Sequence, residues 1–250
     1  MPIDEVIEAA SAEIIRRALD AMAATGRFFE LSNAPQDGAD WRPTARLYAI
    51  SEIGDLSGVL SRMRVSLSWT EERVAASVFH LGYASRLLSP ALGSAALYGH
   101  LPDLRQSNVL WRPTATGSVE IALRRTRGWS GSYPGVLGQA MDLVLTEHLE
   151  PLERALLRHV KLPSGLLRGN VASAAIGTLN MVRPMLGLTW LQMVEATLGP
   201  RGLAGAGTFS GPDLRYIRRS CCLLYRAGGG TCTDCPLRTS AAARQARGGR

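Results

Sequence analysis

The chain has 250 residues, of which 46% are hydrophobic and 20% charged, and its formal net charge is +7. This balance is typical of an ordinary globular protein of one or two domains with a large core, and it excludes a short, disulfide-held secreted domain. The longest uncharged stretches fall short of the roughly twenty apolar residues that a membrane helix needs. The N-terminus is acidic where a secretory signal is basic. We therefore expect a soluble, cytoplasmic protein without a transmembrane segment that can still reach a membrane surface.

Helical periodicity dominates the first hundred residues of the chain. The helix expected to start after Thr70 should end at about Leu88, because Ser89-Pro90 is expected to break it. The predicted elements of this part are helices over residues 3–24, 53–65, 71–88 and 91–98, a loop over 33–40 and a short strand over 46–50.

The pattern then changes to short apolar or alternating runs over residues 109–113 and 119–124, separated by Thr-Ala-Thr-Gly-Ser. These two runs are the only convincing β-hairpin in the sequence. Helical spacing then returns until Gly199-Pro200, and a glycine-rich linker is predicted over 201–211. The fold class is therefore mainly α (α+β), a helical body with one small β-hairpin. The later helices are predicted over residues 136–149, 152–159, 164–181 and 190–198.

All the cysteines of the chain lie close together near its C-terminus, as Cys221-Cys222 and Cys232-Thr-Asp-Cys235. Four thiols with none to spare are the ligand set of a closed thiolate centre, either tetrahedral zinc or an iron–sulfur cluster. Neighbouring side chains diverge, so an adjacent pair reaches one zinc ion only with backbone strain. A cluster with two irons gives the pair more directions in which to bind. The pattern therefore favours iron–sulfur and leaves zinc open.

Positive charge is concentrated around and after these cysteines. Residues 201–250 hold nine arginines and two aspartates. Arg218, Arg219 and Arg226 flank the cysteines and are candidates for tuning a cluster and for binding a substrate. Aromatic residues interleaved with the basic ones are too few to indicate nucleic-acid binding. Neither a dinucleotide fingerprint nor a phosphate-binding loop is present. If the chain reduces a substrate, its electrons therefore come one at a time from another protein or an external reductant.

The C-terminal motif resembles a known family. The stretch Tyr216-Ile-Arg-Arg-Ser-Cys-Cys-Leu-Leu-Tyr-Arg, followed by Gly228-Gly-Gly-Thr-Cys-Thr-Asp-Cys-Pro-Leu, is similar to the C-terminal signature of the FhuF-like ferric siderophore reductases. Ala84-Ser-Arg-Leu-Leu-Ser-Pro and Gly169-Asn-Val-Ala-Ser resemble family segments more weakly. The spacer between Cys222 and Cys232 is one residue shorter than is usual in the family, and the three glycines can absorb that deletion. Asn170 in the second segment is a candidate for a bond across a close helix contact or to a ligand.

The resemblance implies that Cys221, Cys222, Cys232 and Cys235 hold a 2Fe–2S cluster and carry the catalysis. The cluster would pass one electron to Fe(III) in a ferric siderophore of hydroxamate or similar type, which would release Fe(II) for iron assimilation. The electron donor would be a protein such as a ferredoxin or ferredoxin-like reductase. The alternatives are a structural zinc-binding protein and a non-enzymatic 2Fe–2S electron carrier or redox sensor.

The same reading divides the chain into three parts. The expected parts are a mainly helical body over residues 1–200 that includes a siderophore-binding region, a 2Fe–2S-binding segment over 201–240 that docks on the body, and a disordered basic tail over 241–250.

Overall fold

A computed structural model describes residues 7–31, 33, 40–49, 55–199, 201–228 and 230–238. The predicted tail over 241–250 and most of the predicted loop over 33–40 lie outside the described residues. Within the described ranges, none of the helices combines the length and the apolar composition needed to cross a bilayer.

The described part of the chain is mainly helical, with short strands between the helices. The α-helices are α1 (Ala12–Ala23), α2 (Thr44–Tyr48), α3 (Asp55–Ser66), α4 (Glu72–Tyr98), α5 (Gly135–Val144), α6 (Glu150–His159), α7 (Ser164–Leu186) and α8 (Trp190–Leu198). The strands are β1 (Ile7–Ala10), β2 (Arg42–Pro43), β3 (His100–Pro102), β4 (Val109–Pro113), β5 (Val119–Leu123), β6 (Gly128–Gly131), β7 (Gly207–Ser210) and β8 (Arg215–Arg218). A π-helical turn joins α5 to α6, and short 3-10 turns are Gly187–Thr189, Ala204–Ala206 and Leu224–Ala227.

Helices α4 and α7 form the centre of the fold. The middle of α4 is apolar on all sides and buried, which is the pattern of a helix enclosed by other elements. Its most extensive contact is with α7, where Ser89 Oγ lies 3.1 Å from Thr178 Oγ1. The other helices and the sheets pack around this pair, so α4 and α7 are the rigid frame for whatever docks on them.

The strands form three small antiparallel sheets, with the orders β1-β6-β3, β2-β4-β5 and β7-β8. The predicted hairpin is confirmed as β4 and β5, with Val109 opposite Leu123. The mainly α (α+β) class is confirmed as well. The sequence indicated one hairpin, whereas the described residues contain further antiparallel strand pairs. The strands β1, β2, β3, β6, β7 and β8 were missed because they are two to four residues long and carry almost no alternation to detect.

Four local predictions are wrong. The helix predicted over residues 3–24 begins only at Ala12, because residues 7–10 form strand β1, which pairs with β6. Pro90 does not end a helix, because it is buried in the middle of α4 and tertiary packing there outweighs the lost hydrogen bond. Residues 46–48 of the predicted strand over 46–50 belong to the helix α2, in which Thr44, Leu47 and Tyr48 share the buried face at helical spacing. The predicted linker over 201–211 contains a 3-10 turn and strand β7, which pairs with β8.

Candidate metal centre

The hairpin of β7 and β8 delivers the chain to the cysteines. Gly207 pairs with Arg218 across the hairpin, and the buried Tyr216 ring lies against Gly207. Phe209 packs on the same ring with 5.3 Å between ring centroids. This aromatic contact fixes the direction in which β8 ends and the cysteine-bearing loop begins.

The loop after β8 is held on α4 and α7 by specific hydrogen bonds. Ser77 Oγ on α4 donates to the Cys222 carbonyl at 2.7 Å, and Ser173 Oγ on α7 donates to Asp234 Oδ2. Gly169 on α7 lets the loop come close, because a Cβ there would lie 2.1 Å from Ser220 Oγ. The C-terminal segment therefore docks on the central helix pair.

The four thiols are free, and no disulfide joins them. Cys222 Sγ lies 3.0 Å from Cys232 Sγ, and burial and, to a smaller extent, the neighbouring Cys235 raise the pKa of Cys221. Cys222 and Cys235 are 1% and 3% exposed, whereas Cys221 and Cys232 are partly exposed. Among the residues that the structure describes, no group of three or more His, Cys, Asp and Glu side chains is gathered closely enough to hold one metal ion.

The backbone between the cysteine pairs turns through left-handed conformations. Leu223 has φ +69°, which is strained for a branched residue, and its N–H donates to Cys221 Sγ at 3.4 Å. Gly228 and Gly230 both have φ +72°, a conformation that glycine adopts without cost. The glycines thus supply the turn that brings the Cys232 side chain back to Cys222.

Arg218 is the charged residue buried beside the thiols, at 1% exposure. Its Nη2 donates to Cys232 Sγ at 3.3 Å, and its Nη1 donates to Asn170 Oδ1 at 2.9 Å. Its Nε lies 3.6 Å from Asp234 Oδ2. Burial disfavours the charged guanidinium, but Asp234 and the Cys222 and Cys232 thiolates together raise the pKa of Arg218 above its usual value.

The contact between Cys222 and Cys232 shifts the pKa values of the two thiols in opposite directions. The hydrogen bond from Cys232 and the charge of Arg218 lower the pKa of Cys222 to about 6, although burial opposes this. The same hydrogen bond and burial raise the pKa of Cys232. Cys222 is therefore the thiol of this pair that loses its proton more readily.

The other two candidate arginines lie at the surface. Arg219 is exposed, and its backbone N–H donates to the Ala206 carbonyl. Arg226 is exposed in the 3-10 turn after Cys222, and its Nε lies 2.7 Å from Glu71 Oε1 on the loop before α4. Arg218 therefore faces the sulfurs from inside, whereas Arg219 and Arg226 face solvent.

The sequence carries no signal for most of the residues that hold the cysteine-bearing loop in place. Ser77 and Ser173 lie on helices far from the cysteines in sequence and carry no local signal. Asp234 stands inside the Cys-x-x-Cys turn and could have been singled out by its position. Asn170 was a candidate either for a bond across a helix contact or for a ligand, and the structure shows the first, since its Nδ2 donates to the Ser77 carbonyl on α4 at 3.0 Å.

The donor set fits a 2Fe–2S cluster. Each iron of such a cluster takes two terminal thiolates, and the structure presents four free thiols, with Cys222 Sγ in contact with Cys232 Sγ and Cys235 neighbouring Cys221. With four thiolates the oxidised cluster has a formal charge of about −2. The buried Arg218 supplies an opposite charge beside it, and its Nε has no hydrogen-bond partner among the described residues.

Residues 218–237 match the family model described as the FhuF 2Fe-2S C-terminal domain. The matched stretch begins at Arg218 and contains every cysteine of the chain. No curated protein gives a significant match. The C-terminal segment is therefore a 2Fe–2S domain of the FhuF type, which confirms the resemblance found in the sequence and the expected cofactor. The match covers a small part of the 250 residues, and the helical body lies outside it.

Proposed function

We propose that this protein is a ferric-siderophore reductase, in which Cys221, Cys222, Cys232 and Cys235 bind a 2Fe–2S cluster. The observation that carries the proposal is the FhuF-type 2Fe–2S match over residues 218–237, together with four free thiols beside a buried guanidinium. When bound, such a cluster supplies one electron at a time. The chain's own residues hold it, shield it from water and set its charge environment.

The exposure of the cysteines indicates where an acceptor would approach. Cys222 and Cys235 are buried against the helical body, whereas Cys221 and Cys232 are partly exposed. The exposed sulfur edge is therefore the shortest route for an electron out of the protein. Arg219 and Arg226 lie on the surface of the same segment and would attract an anionic chelate or an acidic donor protein.

The substrate class follows from the chemistry of iron release. Hydroxamates and related hard oxygen donors bind Fe(III) far better than Fe(II), so one-electron reduction frees the metal from its chelate. The donor would be a protein such as a ferredoxin, because the sequence shows no motif for an organic redox cofactor. We place the protein in the cytoplasm, since a reducing compartment keeps the four thiols free of disulfides and available to bind a cluster.

The ligand assignment is tested by Cys232→Ser, with Thr233→Ser as the matched control in the same turn. Cys232 is in contact with Cys222 and Arg218, so its loss should abolish or destabilise the cluster. Thr233 is exposed, and its conservative variant should retain iron and sulfide at the wild-type level. Unchanged iron content and visible spectrum in Cys232→Ser would contradict the assignment.

The activity is tested by mixing the anaerobically reduced protein with a ferric trihydroxamate in the presence of a Fe(II) chelator. We expect one Fe(II) per cluster in a single turnover, at a rate that rises with chelate concentration. The gallium(III) chelate of the same ligand is the control, because it binds alike and cannot be reduced. A reduced cluster that stays reduced with the ferric chelate, yet is oxidised at once by ferricyanide, would favour the electron carrier or sensor instead.

A further inference from the structure

The charge around the cysteines is distributed unevenly. The Arg218 guanidinium contacts Cys232 Sγ at 3.3 Å from a fully enclosed position. The hydrogen bond that reaches Cys221 Sγ comes instead from the uncharged backbone N–H of Leu223, at 3.4 Å. Cys232, in contact with Cys222, therefore has a guanidinium against its sulfur, with the Asp234 carboxylate on the far side of that guanidinium. Cys221 receives a backbone dipole instead.

The position of Arg218 is fixed by residues of the helical body. Asn170 Nδ2 donates to the Ser77 carbonyl at 3.0 Å, which leaves its Oδ1 to accept from Arg218 Nη1 at 2.9 Å. On the other side, Ser173 holds the Asp234 carboxylate that faces Arg218 Nε. The guanidinium is planar and held on both sides, so it cannot turn away from Cys232.

The geometry also suggests which cysteines share an iron. Neighbouring side chains diverge, so Cys221 and Cys222 cannot easily bind the same metal atom. Cys222 Sγ is in contact with Cys232 Sγ at 3.0 Å, which leaves Cys221 to pair with its neighbour Cys235. Each iron would then take one thiolate from the adjacent pair and one from the Cys-x-x-Cys turn.

We infer that Arg218 makes the two irons unequal, so that the iron held by Cys222 and Cys232 is the one that becomes Fe(II) on reduction. The inference rests on the ligand assignment proposed above. One electron from a one-electron reductant converts one Fe(III) to Fe(II), and no bond is made or broken. The added negative charge is stabilised most where a buried cation lies against the ligand sulfur, because low dielectric strengthens that attraction.

The first test is a redox titration of the cluster in Arg218→Gln, with Arg215→Gln as the matched control. Both variants remove one positive charge from β8, but Arg215 is exposed and Arg218 is buried. We expect the equilibrium constant for electron uptake to fall at least about tenfold in Arg218→Gln, which is about 59 mV of midpoint potential for one electron. Arg215→Gln should change it less than about twofold, because solvent screens an exposed charge.

Two further variants keep the test informative if Arg218→Gln does not fold. Arg218→Lys retains the positive charge but loses the planar guanidinium that donates in two directions. Asn170→Ala retains Arg218 but removes the α7 side chain that accepts its Nη1 hydrogen bond. Both should lower the midpoint potential by less than Arg218→Gln. A potential that is equal in the Arg218 variants, Asn170→Ala and Arg215→Gln would overturn the inference.

The second test locates the electron directly. Native ligation at Cys232 joins residues 1–231 to a synthetic peptide 232–250, which rebuilds the full chain with β-deuterated cysteine at position 232 or 235 alone. In the NMR spectrum of the reduced protein, cysteine β-protons on ferric iron lose their contact shift on warming, and those on ferrous iron do not.

We expect deuteration of Cys232 to remove signals of the ferrous class and deuteration of Cys235 to remove signals of the ferric class. The reverse assignment, or both cysteines in one class, would overturn the inference. Neither test uses a ferric chelate, so a failure of the reductase proposal is seen separately. Protein that binds no iron would instead contradict the ligand assignment.

Discussion

Gly207 should not tolerate even one added methyl group, because the Tyr216 ring occupies the space. A Cβ at Gly207 would lie 2.4 Å from Tyr216 Cζ, 2.5 Å from its Oη and 2.6 Å from its Cε2. Carbon atoms in contact are about 3.5–4.0 Å apart, so the ring or the strand would have to move by about 1 Å. Tyr216 is 4% exposed and packed by Phe209, so it has no open space to enter.

Overpacking of this kind should cost about 1–3 kcal/mol of unfolding free energy in Gly207→Ala. Backbone strain does not contribute, because Gly207 is extended with φ −166°. Urea unfolding followed by far-UV circular dichroism, under anaerobic conditions, measures the loss. The control is Gly205→Ala two residues earlier, where a Cβ meets nothing within 4 Å, and its effect should stay within about 0.5 kcal/mol.

A double-mutant cycle identifies the cause. Tyr216→Leu shortens the side chain that fills the space, so Gly207→Ala should cost about 1–2 kcal/mol less in that background than in the wild type. Because Gly207 pairs with Arg218, the single variant should also weaken retention of the cluster. If Gly207→Ala were as harmless as Gly205→Ala, or if the two changes simply added, the proposed packing of β8 would be wrong.

Two further predictions concern the helical body. His148 is enclosed, with Nδ1 2.6 Å from Tyr48 Oη, and burial lowers its pKa to about 4 from the usual 6.5. The unfolded chain therefore binds more protons between these two values, and the unfolding free energy should fall by about 3 kcal/mol from pH 7 to pH 4. His148→Gln should be less stable at pH 7, with a deficit that shrinks toward pH 4, whereas a constant deficit in urea unfolding would contradict this. Gly117→Ala should cost about 2–4 kcal/mol, because Gly117 has φ +79° and its added Cβ would lie 2.5 Å from the Met63 backbone nitrogen. Gly165→Ala in α7, where a Cβ meets nothing, is its control and should be neutral or slightly stabilising.

Elements with long, regular apolar spacing could be predicted from the sequence, as α3 and α8 show. The continuation of α4 through Pro90 could not be predicted, because a proline locally indicates a helix end. The burial that overrides this signal depends on α7, which is far away in sequence. The helix α2 was missed because five residues offer barely one period to detect. Local rules therefore gave the fold class but misplaced elements that tertiary packing decides.

The metal-binding segment was predictable because its chemistry is local in sequence. The four cysteines lie within fifteen residues, and their type and spacing restrict the centre to a few possibilities. Arg218 was a candidate because it lies beside the cysteines, but its burial was not predictable, since nothing local in the sequence distinguishes it from Arg219 and Arg226. Only the contacts of Asn170 and Asp234 from two different elements show that it is enclosed.

The measurement that tests the account most directly is an anaerobic visible absorption spectrum before and after dithionite, on a sample assayed for iron, sulfide and zinc. The account predicts about two irons and two sulfides per chain, no zinc, and bands that bleach on reduction. Adding a ferric trihydroxamate should then restore the bands as Fe(II) is released. A colourless, zinc-loaded protein that does not bleach would contradict the 2Fe–2S centre and the reductase function together.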